Sequence, residues 1–143
     1  MEPDHARPAG ASDRLVAAAG KVSEALEATE QARGHLYAFH QLTGGADFTL
    51  DKAVSLLREE GEDELADLVT TELIGRNVLA GRWTFQIVEE YDDGYYANFK
   101  SVEKKIRDTL MDGRRHVYES ELKEKRRTHG RSGHSSRPDE ANR

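Results

Sequence analysis

Two amphipathic runs, each close to thirty residues long, leave this chain little choice but a helical fold. The stretch Gly81 to Gly113 holds the only tryptophan, two of the four phenylalanines and three of the five tyrosines. Two series repeat every seven residues along it: Phe85, Asp92, Phe99, Ile106 and Val88, Tyr95, Val102, Thr109. Repeats of that kind describe a helix presenting one seam to a bundle. The second run, Arg14 to Leu42, places Leu15, Ala18, Ala19, Val22, Ala25, Leu26, Ala28, Ala32, Leu36, Phe39 and Leu42 at a drifting three-and-four spacing. Its alanine-rich seam lets a neighbouring helix come close.

The signals between these runs divide the chain further. Thr43-Gly44-Gly45 is expected to end the first helix, since glycine takes the left-handed conformation at a helix C-terminus without a Cβ penalty. A shorter helix follows, capped by Asp47 or Thr49, with Leu50, Ala53, Val54 and Leu57 inward and Gly61 closing it. Asp63 caps a third helix with Leu65, Leu68, Val69 and Leu73 on a face, ending near Gly75. Gly75 to Trp83, with two Gly-Arg pairs, reads as a loop or irregular turn, with a continuous helix as the alternative. Thr84 is expected to cap the long helix, which runs to about Asp112. Gly113 ends or bends it, and a polar helix carrying Val117 and Leu122 follows. The prediction is an all-α helical bundle of four to five helices, two of them long, over residues 13–126. A disordered tail over 1–12 precedes it, and a disordered basic tail over 127–143 follows.

Composition narrows the chemistry. Hydrophobic residues make up 36% of the 143 and charged residues 34%, with 3 prolines, which suits amphipathic helices in one domain. Having no cysteine removes disulfides, thiolate nucleophiles and Cys-ligated metal centres. No apolar run approaches the roughly 18 to 20 residues a bilayer span needs, and Met1 to His5 lacks the basic and apolar regions of a signal peptide. No membrane partner is therefore expected, and the expected compartment is the cytoplasm. Residues 1–113 carry 12 Lys/Arg against 22 Asp/Glu, a net −10, and residues 114–143 carry 9 against 5, a net +4. A basic end on an acidic body admits nucleic-acid binding, but Lys123, Lys125, Arg126, Arg127 and Arg131 interleave with acids and have no aromatic beyond Tyr118. That pattern favours a solvated helix end over a nucleic-acid surface.

The candidate pocket is Glu89, Asp92, Tyr95, Tyr96, His35 and Phe39. Glu89 and Asp92 stand three apart on the long helix, and Asp92 replaces an apolar residue between Phe85 and Phe99. A buried carboxylate needs a partner, for which Arg33, Arg76, Arg82 and His35 are available. The competing reading is a salt bridge that fixes helix register. Tyr95 and Tyr96 beside Gly94 could line a ligand site or simply a core. Arg76 and Arg82 could form an anion site at the helix start, or pair with nearby acids such as Glu72 and Glu89. Metal-ligand candidates are His35, Glu89, Asp92 and the His-x-x-Glu pair His116 and Glu119. The Glu-x-x-His order of di-iron bundles occurs only at Glu2 to His5, and neither His-Glu-x-x-His nor Gly-x-Ser-x-Gly occurs. No cofactor is expected.

The segments Gly34-His-Leu-Tyr-Ala-Phe-His-Gln-Leu-Thr-Gly44, Gly75-Arg-Asn-Val-Leu-Ala-Gly-Arg-Trp-Thr-Phe-Gln86 and Glu89-Glu-Tyr-Asp-Asp-Gly-Tyr-Tyr96 resemble an uncharacterised all-helical family of high-GC bacteria. The resemblance spans most of residues 13–129, implies a bacterial, cytoplasmic protein and carries over no functional residue. The leading functional expectation is a non-enzymatic helical protein-interaction module that forms a homodimer, because two long helices carry more apolar seam than two short ones cover. A ligand- or metal-binding bundle with a carboxylate and histidine site is the alternative, and weak nucleic-acid binding through the C-terminal end is the third.

Overall fold

A computed structural model describes residues 2–138, and among them every regular element is helical. A 3-10 turn, Pro3–His5, precedes α1 (Asp13–Glu59), α2 (Asp63–Glu72), α3 (Thr84–Tyr91), a π-helical segment (Asp92–Tyr96), α4 (Ala97–Met111) and α5 (Val117–Arg126). The all-α expectation holds, with two long helical runs: α1, and the run from α3 to the end of α4. Among the described residues no helix is long and apolar enough to cross a membrane.

The expected break at Thr43-Gly44-Gly45 is absent: α1 continues through it for 47 residues, and the predicted separate helix after Asp47 is its last part. Neither glycine has a positive φ, and the Thr49 hydroxyl donates to the Gly45 carbonyl at 2.9 Å. Glycine stops a helix only where the chain turns left-handed, and each interior glycine otherwise costs about 1 kcal/mol relative to alanine. The partly shielded residues Thr29, Arg33, Leu36, His40, Thr43, Asp47, Leu50, Val54 and Leu57 keep an unbroken alternation of four and three through the glycine pair. The stop comes at Gly61, as its position suggests. With φ at 77°, Gly61 donates to the Arg58 carbonyl and Glu62 to the Leu57 carbonyl, at 3.0 and 2.8 Å. Those two bonds make a Schellman motif.

The residues from Gly75 to Trp83 form a loop, as the glycine spacing indicates, with a tight turn between Leu79 and Arg82. Thr84 is not the cap of α3 but its first residue. Trp83 caps it, and the Gln86 side-chain oxygen accepts from the Trp83 backbone N–H at 2.9 Å. The long run is also not one uninterrupted α-helix. At Asp92–Tyr96 one extra residue enters the turn, and the Ala97 N–H reaches back five residues to the Asp92 carbonyl. The covered positions therefore run Thr84, Val88, Tyr91, then Tyr96, Phe99, Glu103, Ile106 and Leu110, with a step of five across the insertion. This corrects the seven-residue series. Tyr95 is 62% exposed, and Val102 and Phe85 are exposed too, while Tyr96 and Glu103 take inward places.

The chain divides into two compact units, one made of the residues up to Ala28 with those from Asn98 on, the other of Thr29–Ala97. The first has an apolar core of Val16, Ala19, Met111 and Val117, with Ala11 and Leu110 against it. Beside it Glu103 is buried, accepting from the Ser23 hydroxyl and the Arg107 guanidinium, both at 3.1 Å. Polar contacts hold the lead-in. Arg7 forks onto both carboxylate oxygens of Glu121 at 2.7 and 2.9 Å and also reaches Asp13, and Arg114 donates to the Ala6 carbonyl. Past α5, the Ser136 hydroxyl donates to Glu124 and Lys123 to the Ser136 carbonyl. Residues 139–143 of the expected basic tail lie outside the described residues.

Candidate functional site

Seven-residue spacing places Arg33, His40 and Asp47 on one line of α1, and in the second unit each meets a polar partner. Arg33 makes a two-pronged pair with Asp92, Nε to Oδ1 at 2.7 Å and Nη2 to Oδ2 at 2.9 Å. The parallel bonds hold the guanidinium in a fixed plane and raise its pKa further, chiefly through the hydrogen bond to Asp92. One turn earlier, Glu30 accepts a 2.6 Å hydrogen bond from the Tyr96 hydroxyl. That bond is the main reason the phenol's pKa is raised. The Arg33 guanidinium lies 5.5 Å from the Tyr96 ring centre, and another neighbour of that ring is Tyr91, stacked at 6.1 Å and 21°. Further along α1, His40 Nδ1 is 2.7 Å from the buried Thr84 hydroxyl. Asp47 then accepts from the Gly75 N–H at 3.0 Å.

The π turn supplies the Tyr96 rung of this ladder. An α-helix would carry Tyr95 round to the face of Val88 and Tyr91, whereas the extra residue carries Tyr96 there, alongside Asp92. Gly94 occupies the turn, and nothing lies within 4 Å of where its Cβ would be, so the glycine is not required by a close neighbour.

The structure brings together two of the six expected pocket residues, Asp92 and Tyr96, around Arg33 and Glu30. Tyr95, His35 and Phe39 are exposed, with His35 two residues on from Arg33 and so turned away from Asp92. Glu89 lies in a shallow groove of ≈ 610 Å³ with Arg82, Gln86, Glu90, Asp93 and Gly94. The two arginines of the anion-site reading are paired with acids. Arg76 meets Glu72 at 2.8 Å and Arg82 meets Glu90 at 2.7 Å, both acids close by in the chain. Of the metal candidates, His35, Glu89 and Asp92 belong to the second unit and His116 and Glu119 to the first. At the basic end Lys123 and Arg127 are engaged with Glu2, Glu124 and carbonyl oxygens, while Lys125 and Arg126 are exposed.

Glu30, His40, Asp47 and Thr84 escape a search for catalytic or ligand motifs. The signal that finds His40 and Asp47 is their seven-residue spacing from Arg33, visible once α1 is read through Gly44-Gly45, whereas Glu30 and Thr84 emerge only through their partners Tyr96 and His40. Chemically, the ladder pairs donors with acceptors along a helix seam and thereby sets register, as polar seam residues do in coiled coils. No family model, curated protein or solved structure matches the chain.

Proposed function

We propose that this chain is a non-enzymatic helical self-association module, homodimeric, whose second unit buries its outer apolar side chains against a second copy. One observation carries the reading: the unit of residues 29–97 has almost no core of its own. Among its described residues the only buried apolar side chain is Ala66, at 0% exposure, while Leu42 is 74% and Phe48 77% exposed. Leu56 follows Leu42 by two heptads on α1, on the side away from the covered seam, and Leu65 and Leu68 stand one turn apart on α2, all exposed. Monomers seldom leave so many large apolar side chains in water.

A second copy of this chain is the occupant proposed, since a two-fold pair offers each exposed apolar side chain the same residues in return. Light scattering coupled to size-exclusion chromatography tests the reading. The expected mass is that of two chains, shifting to one chain when Leu42 and Phe48 are both replaced by Glu. A wild-type protein that stays monomeric at high concentration would overturn it.

A further inference from the structure

We propose that Glu27, His116 and Glu119, in the first unit, form a binding site for a zinc-type divalent ion. The donor atoms of these three side chains all lie within 4.8 Å of one another. His116 and Glu119 belong to one turn at the start of α5, and Glu27 comes from α1, far away in sequence. Donors around tetrahedral zinc, at bonds of about 2.0 to 2.1 Å, stand about 3.3 Å apart. The 3.9 Å between His116 Nδ1 and Glu119 Oε2 closes to that by side-chain rotation alone, since all three residues are exposed.

Two features of the surroundings distinguish this cluster from a chance meeting of surface acids. The backbone on both sides is fixed by packing: Val117, next to His116, is in the core with Val16 and Ala19, and Tyr118 Cβ sits 3.5 Å from the Cβ position of Gly20. Glu27 follows Gly20 by one heptad on the same side of α1, so the close approach at Gly20 brings α5 to the line on which Glu27 stands. The second feature is charge. Two carboxylates come together, yet among the described residues neither forms an ion pair with lysine or arginine, and the basic ring nearest Glu119 is His116, at 3.9 Å. A divalent cation neutralises that pair. One imidazole nitrogen with two carboxylates is a donor set for Zn²⁺, with a fourth position open to water, whereas Ca²⁺ takes six or more oxygens.

Tag-free full-length protein titrated calorimetrically with zinc chloride, and separately with calcium chloride, tests the site. The expected result is one Zn²⁺ per chain and no Ca²⁺ heat, with affinity falling about tenfold or more in both Glu27→Gln and His116→Ala. Circular dichroism checks that each variant is folded. If a variant is not, Co²⁺ added to the wild-type protein decides through its visible spectrum, a four-coordinate band being expected and its absence counting against the site. No Zn²⁺ heat from the folded wild-type protein, zinc binding that survives both substitutions, or binding lost instead in His5→Ala, whose ring lies 6.2 Å from that of His116, overturns the assignment.

Discussion

Asp92 illustrates how one residue acts through its partner. Its carboxylate is half-buried on a helix seam and gripped at both oxygens by Arg33, so removing either side chain strands the other. Arg33→Ala and Asp92→Ala should each lower the melting temperature, and the double variant should lose less than the two losses added together. Thermal denaturation of the four proteins measures this, and strict additivity would show the pair to be uncoupled. In the first unit, Met111 is 2% exposed in the core, and Met111→Ala should cost about 2 to 4 kcal/mol in urea unfolding. Glu124 gives a pH-dependent contribution. Hydrogen bonds from Arg127 and then Ser136 hold its carboxyl down at about 2, against an ordinary 4.5. A depressed folded-state pKa means that the stabilisation is present above the unfolded value and is lost as pH falls through the folded one. Between pH 4.5 and 2, wild-type stability should therefore fall more steeply than that of Glu124→Gln, as urea midpoints across that range would register. His116 and Glu119 are visible as a pair in the sequence. Glu27 is not, because nothing local links it to a helix start so far along the chain.

At the scale of elements, α1 and the π turn depart furthest from the periodicity that announces them. Gly44 and Gly45 are ordinary helical residues, and a Cβ on either would meet nothing within 4 Å. Replacing both with alanine should therefore stabilise the protein by about 1 to 2 kcal/mol, mainly by restricting the unfolded chain. A helix that really ended there would be destabilised instead, and chemical denaturation separates the outcomes. The heptad of Arg33, His40 and Asp47 is written in the sequence but hidden by the assumption that a glycine pair breaks a helix. The π turn is less accessible. Acids, a glycine and tyrosines interrupting the apolar series mark Trp83 to Tyr96 as unusual, but no spacing rule says that one extra residue enters the helix. That single residue exchanges Tyr95 for Tyr96 and Val102 for Glu103 on the covered face.

For the whole molecule, charge bears on the proposed self-association. Residues 29–97 hold 5 Lys/Arg against 14 Asp/Glu, so two copies meeting through this unit bring like charges together. Association driven by apolar side chains should then strengthen as salt rises from about 0.05 to about 0.5 M, because screening weakens the repulsion. Sedimentation across that range would show it, and a dimer that dissociates with salt would point to ion pairs as the glue. The sequence by itself determined the helical class and the stop at Gly61, and it narrowed Gly113 to an end or a bend and Gly75 to Trp83 to a loop or a continued helix. Those features depend on backbone bonds four or five residues apart and on glycine's access to positive φ. Only the tertiary structure decided that α1 passes through its glycines, that Arg33 is the partner of Asp92, that Tyr96 rather than Tyr95 faces inward and that Glu27 stands beside His116. Each of these turns on groups tens of residues apart, whose meeting is set by packing and by the cost of leaving a charge or hydroxyl unpaired.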